Sequence, residues 1–257
     1  KKFLTIDGGK IQKRKKKSSN IILCLYVDNL STYTLKNVIL QQNQRFPNFE
    51  KICKRGEIID NSVSTSNWTL PAAYSMFREK PFHQHRIYHP KEPIPNDLFH
   101  SIHGSKNCFD QLQDHGWNTF NVTSNWRASS KLGFTSGFNF SKDLLWQEAP
   151  YVSLAAMENI KLGSRNNSFH WISFMDSHHP LVHFVPTPSV QIDLGQLSWK
   201  SGLSYNQRPN LSGDDPIMSE IYLAQLEMID KEIGNIMNYA KHFYETSCID
   251  VILLSDH

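Results

Sequence analysis

The chain has 257 residues, enough for one large α/β domain with a substantial core. Its 39% apolar and 20% charged residues are an ordinary globular balance. No run of about 18 apolar residues occurs, which excludes a membrane-spanning helix within it. Much of the net charge of +3 sits in Lys10–Lys17 (KIQKRKKK). This tract reads as a solvated lead-in, and without interleaved aromatic residues or a recognition motif no nucleic-acid partner is expected. The cysteines Cys24, Cys53, Cys108 and Cys248 show no close pair and no metal-ligand spacing, so no disulfide framework is implied. Cys24 and Cys248, in or beside apolar runs, read as buried thiols. The compartment is left open.

Residues 1–19 are polar and read as a loose lead-in; 20–257 read as one catalytic domain. Asn20–Val27 is a continuous apolar run, the pattern of a central strand covered on both faces, and it breaks at Asp28-Asn29. Residues 31–46 read as a helix ending before Pro47, and 60–69 as a polar loop. Pro71 opens a helical segment over Leu70–Arg78, with Thr69 as a good N-cap. His83–Asp97, with three prolines and the histidines His83, His85 and His89, reads as an irregular surface loop. Asn107–His115 reads as a helix closed by Gly116, Trp117–Val122 as a strand, and 124–141 as loop. Phe169–Met175 is another apolar strand, and 186–216 a long polar excursion. In Ser219–Tyr244 the residues Tyr222, Leu226, Ile229, Ile233, Ile236, Ala240 and Phe243 form one apolar helical stripe. A last apolar strand, Val251–Leu254, breaks at Ser255-Asp256-His257. Strands alternating with helices predict an α/β fold with a mostly parallel central sheet and helices on both faces.

Three apolar strands thus end in polar clusters: Asp28-Asn29, Asp176-Ser177-His178-His179 and Asp256-His257. In a parallel sheet such ends share one edge, where ligands bind. Carboxylates with imidazoles suit one divalent cation, Mn²⁺, Mg²⁺, Ca²⁺ or Zn²⁺. Thr69 adds a hydroxyl at a helix N-terminus, where N–H groups and the helix dipole favour an oxyanion. A hydroxyl on a metal becomes a nucleophile.

In order and spacing, Asp28, Trp68-Thr69-Leu70-Pro71 with Ser75-Met76-Phe77, Asp110–Asn125, Asp176–Pro180, Tyr222–Gly234 and Leu253–His257 resemble the sulfatase-like branch of the alkaline phosphatase superfamily. The resemblance covers residues 20–257 and implies an alkaline-phosphatase-like fold. It implies a nucleophile at Thr69, metal ligands at Asp28, Thr69, Asp256 and His257, and a leaving-group contact at His178. His85 falls near a histidine that follows the family's nucleophile helix. The departures are informative. Sulfatases carry Cys or Ser followed by x-Pro-Ser-Arg and oxidise the first residue to formylglycine. Thr69-Leu70-Pro71-Ala72-Ala73 has neither the oxidisable residue nor the Arg. Paired acids after the first strand are replaced here by Asp28-Asn29.

A single acid, a Thr and an Asp-His pair resemble the family's phosphotransferases and phosphodiesterases. The expectation is therefore a metal-dependent hydrolase or transferase of phosphate esters. A sulfatase acting on sugar sulfates is the alternative. A non-catalytic anion- or glycan-binding protein on the same fold is the alternative of another class. The expected partner is a small-molecule, glycan or lipid-linked ester. The sequence has no initiator Met or signal peptide and stops on the second metal motif. The domain is expected to be C-terminally incomplete, and membrane association through segments outside it is left open.

Overall fold

The computed structural model describes residues 4–7, 10–13, 19–42, 44–59, 62–87, 106–178 and 216–256. Residues 4–13 hold an antiparallel hairpin, β1 (Leu4–Asp7) and β2 (Lys10–Lys13), where the sequence suggested only a loose lead-in. The rest is built on a five-stranded sheet in the order β5-β4-β6-β3-β7: β3 Ile21–Val27, β4 Asn118–Thr123, β5 Phe140–Asp143, β6 Ser168–Phe174 and β7 Ile249–Leu254. Every pairing in it is parallel. The helices are α1 Thr32–Thr34, α2 Pro47–Arg55, α3 Thr69–Arg78, α4 Phe82–His85, α5 Cys108–Asp114, α6 Ala149–Gly163 and α7 Pro216–Ala240. This is the expected α/β class.

Side-chain alternation divides the core in two. From β3, Ile21, Leu23, Leu25 and Val27 pack with α2, α6 and α7. Cys24 and Tyr26 point the other way and pack with α3, α5 and the segment around Leu132 and Phe134. Helices therefore cover both faces, as a parallel sheet requires. The stripe expected on α7 is the buried one: Leu226, Ile229, Ile233, Ile236 and Ala240 are each fully buried. That helix ends at Ala240 rather than at Tyr244.

Several expectations are corrected. The helix read over 31–46 is a short α turn continued as a π turn over Leu35–Ile39, and Pro47 starts α2 instead of ending a helix. Proline lacks only an N–H that the first helical turn does not use. The loop read over 124–141 contains two 3-10 turns and the start of β5. β7, whose apolar run suggests a buried strand, is an edge strand with Ile252 45% exposed. Cys24 is buried as expected, but Cys248 is only half-buried. His83 and His85 belong to α4; His89, His179, most of the 186–216 excursion and His257 lie outside the described residues. Among the described residues no helix is long and apolar enough to cross a membrane.

Candidate active site

The same alternation decides which strand-end residues meet. Asp28 follows Cys24 and Tyr26 in parity, so it emerges on the α3 face. β3 and β7 pair Tyr26 with Leu254; two residues further on, the register sets Asp28 beside Asp256. Neighbouring strands lie about 4.8 Å apart, so two carboxylates are forced together there. Both are buried, at 0% and 3% exposure. The backbone braces them: Asp28 N–H donates to the Phe174 carbonyl at 3.0 Å, Asn29 N–H to Asp256 Oδ1 at 3.3 Å and Leu30 N–H to Ser255 Oγ at 3.0 Å. Ser177 Oγ donates to the Asp28 carbonyl at 2.6 Å.

Asn29 stands in the left-handed region (φ 62°), and its side-chain amide donates to the Ser177 carbonyl at 3.2 Å. A carboxylate at this position could not make that bond. Asn29 is thus a clamp between β3 and β6, which accounts for the missing second acid.

Thr69 is the first residue of α3. It is not the cap: Trp68 occupies the N-cap position, with no side-chain cap bond. The Thr69 hydroxyl, 1% exposed, donates instead to Asp28 Oδ2 at 3.3 Å. Asn125 Nδ2 donates to the same oxygen. Asp28 Oδ1 is buried without a hydrogen-bond partner. Burial and then the Asp256 charge push the Asp28 carboxyl well above the usual range, opposed by the Thr69 and Asn125 bonds and by Arg127. The Arg127 guanidinium, whose charge acts on Asp28, lies over the Trp126 ring at 4.4 Å and the Trp68 ring at 5.3 Å. Ser64 Oγ donates to the Asp256 carbonyl, tying the segment before α3 to the end of β7.

Asp28, Thr69 and Asp256 are therefore brought together. His178 follows Ser177 at the same sheet edge, its N–H bonded to the Met175 carbonyl at 2.9 Å, with a half-buried side chain. Asp176 is not part of the constellation. Its parity follows Ile172 and Phe174 to the opposite face, where its Oδ1 accepts the Ala149 N–H at 2.8 Å and caps α6. Burial, opposed by the Ala149 N–H bond and helped by the Glu148 and Glu232 charges, leaves its carboxyl raised to about 7.

His85 does not reach the nucleophile either. Its Nδ1 accepts the Ile87 N–H at 3.0 Å, which leaves the proton on Nε2, 3.0 Å from Ser75 Oγ. It is a buried strut beneath α3, and burial lowers its pKa. Asn125 and Arg127 were missed in the sequence. Their signal was a fourth strand end, Thr123-Ser124-Asn125, with Asn125 on the parity of the α3 face.

The donor set fits a hard divalent cation: two buried carboxylates repel, one oxygen has no partner, and a hydroxyl adjoins. Among the described residues no three of His, Cys, Asp or Glu gather as a metal site. The third expected side-chain ligand of that kind, His257, lies outside them.

The chain has the sulfatase-like fold of the alkaline phosphatase superfamily. It is similar to an alkaline phosphatase superfamily protein from Vibrio parahaemolyticus, with TM-score 0.58, 14% identity, and coverage of 95% of this chain and 55% of that one. A protein solved in complex with its substrate D-glucosamine-2-N,6-O-disulfate gives 0.62, 12%, 93% and 65%. A 2-O GAG sulfatase gives 0.61, 12%, 94% and 58%. The chain thus spans from about half to two thirds of the length of these structures. No family model and no curated protein matches the sequence.

Proposed function

We propose that the chain belongs to an ester hydrolase or transferase of sulfatase-like type that cleaves esters of a tetrahedral oxyanion through Thr69. One observation carries this reading. The Thr69 hydroxyl is buried at a helix start, is not spent on capping, and bonds to Asp28 Oδ2 at 3.3 Å. The names of the similar structures favour a sugar sulfate as the ester. Thr69 itself supports a second reading, a phosphate ester, because threonine cannot form the aldehyde that sulfatases make from Cys or Ser.

The steps are the same for either ester. The substrate anion is held by the Arg127 guanidinium and the free N–H groups at the start of α3. Thr69 Oγ1 attacks sulfur or phosphorus while its proton passes to Asp28 Oδ2. The bond to the leaving oxygen breaks, and that oxygen takes a proton from His178. Water, or a second alcohol, then gives its proton to His178 and attacks the Thr69 adduct; the bond to Thr69 Oγ1 breaks, and that oxygen takes back the proton from Asp28 Oδ2. A divalent cation held by Asp28, Asp256, His257 and the Thr69 oxygen would supply positive charge against the developing oxyanion.

The test offers the purified chain p-nitrophenyl sulfate, p-nitrophenyl phosphate and bis-p-nitrophenyl phosphate with added Mn²⁺. Nitrophenol release from one of them, abolished by Thr69→Ala in a folded protein, is the expected result, and the preferred ester chooses between the two readings. No release from any ester, with no cation bound, overturns both in favour of a binding protein.

A further inference from the structure

We infer that Trp68 and Trp126 are positioning residues for Arg127: their rings fix its guanidinium beside the start of α3, ready to take two oxygens of the transferred group at once. The inference rests on the reading above that Arg127 holds the substrate anion.

Arg127 is tied to the site at both ends. Its backbone belongs to the 3-10 turn Trp126–Ala128, and the N-cap residue Asn125 accepts the Arg127 N–H on Oδ1 at 2.8 Å. The amide nitrogen of the same side chain donates to Asp28 Oδ2. One buried asparagine therefore joins the Arg127 backbone to the acid that holds Thr69. The turn is closed by the Ala128 N–H on the Asn125 carbonyl at 3.1 Å and by Ser129 Oγ on the Trp126 carbonyl at 2.7 Å. At the other end the guanidinium lies over the Trp126 ring at 4.4 Å and over the Trp68 ring at 5.3 Å. Trp68 directly precedes Thr69 in the chain.

Trp68 is the residue that needs an explanation. A helix N-cap favours Ser, Thr, Asp or Asn, whose side chains take up a free N–H. Trp68 holds that position on α3 with an extended backbone and makes no cap bond. Its ring meets Arg127 instead. Both tryptophans are partly buried against the core on the α3 face, so the rings have a firm backing. A guanidinium is planar, stacks on aromatic faces and pairs with two oxygens of a sulfate or phosphate; an ammonium offers no such fixed fork. Two ring contacts also remove rotamer freedom from the arginine before the substrate arrives, which lowers the cost of binding.

The test is kcat/KM of the full chain on the preferred ester for wild type, Trp126→Leu, Trp126→Phe and Arg127→Lys, with folding checked by circular dichroism. Trp126→Leu is expected to lower kcat/KM by roughly 3–30-fold, and Trp126→Phe, which keeps a ring, by less. Arg127→Lys keeps the charge without the plane and should lose nearly as much as Arg127→Ala. On an Arg127→Ala background Trp126→Leu is expected to add no further loss, which a merely structural role would not reproduce. Trp68→Leu carries the same comparison if Trp126→Leu fails to fold. Unchanged kcat/KM in the folded leucine variant, or an equal loss on both backgrounds, overturns the inference alone. Unchanged kinetics in Arg127→Ala, or a wild-type chain that turns over no ester, overturns the reading beneath it and this inference with it.

Discussion

Asp230 of α7 does for α2 what the local sequence does not. Phe46 stands at the α2 N-cap position with no side-chain cap bond. In its place Asp230 Oδ1 accepts the N–H groups of Asn48 at 3.0 Å and Phe49 at 2.6 Å, and Oδ2 accepts Asn48 Nδ2 at 3.0 Å. Asp230→Ala removes this cap from 182 residues away in sequence. Losing a cap costs about 1–2 kcal/mol. Phe49 is fully buried, so its N–H is left without solvent, which adds about 1–2 kcal/mol. The expected loss is about 2–4 kcal/mol, a fall in Tm on the order of 10 °C for a chain of this size. Thermal unfolding measures it, and hydrogen exchange should show the Asn48 and Phe49 amides losing protection. A loss under about 1 kcal/mol with those amides still protected would refute the capping argument. A companion variant tests the same seat with the opposite sign. A Cβ at Gly234, one turn along α7, would lie 2.6 Å from Asn48 Nδ2 and 2.7 Å from Asn48 Oδ1. Helix propensity alone predicts that Gly234→Ala stabilises by about 1 kcal/mol. Because Asn48 is tethered to Asp230 and cannot swing away, the variant should destabilise instead.

Three further outcomes follow from single residues. His170 is buried against Phe120 at 4.6 Å, and burial lowers its pKa from 6.5 to about 3. Between those values the unfolded chain binds a proton that the folded chain refuses, so stability falls by about 1.4 kcal/mol per unit as pH drops below 6.5, and is unaffected by His170 above it. His170→Gln should remove that slope; parallel stability curves for the two proteins from pH 7 down to about 5 would contradict it. Glu79 and Arg86 end α3 and α4 at φ 55° and 59°. Glycine at either position should raise stability by about 0.5–1 kcal/mol in urea unfolding, and a loss would place unseen side-chain contacts there. Arg127→Ala should lower kcat/KM on the preferred ester by on the order of 10²-fold with folding intact, whereas unchanged kinetics would remove Arg127 from anion binding.

The strands with strong apolar runs were legible in the sequence because burial on both faces leaves an unmistakable signature. β5 was not, because Phe140-Ser141-Lys142-Asp143 is an exposed, polar edge. Helix α6 was missed because Tyr151, Leu154 and Leu162 lie on its exposed side and blur the stripe. α2 was missed because Pro47 was read as a stop. Within the site, strand-end position alone selected Asp28 and Asp256 but also admitted Asp176. Counting parity along each strand separates them: Asp28, Asn125 and Asp256 fall on the α3 face, and Asp176 falls on the α6 face, where it serves the fold. Thr69 looked like a cap, and only tertiary structure turns its hydroxyl to Asp28. The arrangement of Arg127 between Trp68 and Trp126 has no local sequence pattern, since its rings come from segments before α3 and after β4.

The central claim is that Thr69 carries the transferred group. Its most direct measurement is high-resolution mass spectrometry of peptides from the chain quenched during turnover of the preferred ester with Mn²⁺. The account predicts one sulfuryl or phosphoryl group on the peptide bearing Thr69, absent in Thr69→Ala, which should also lose at least about 10³-fold in kcat. Turnover that persists in Thr69→Ala, or an adduct on any other residue, would contradict it.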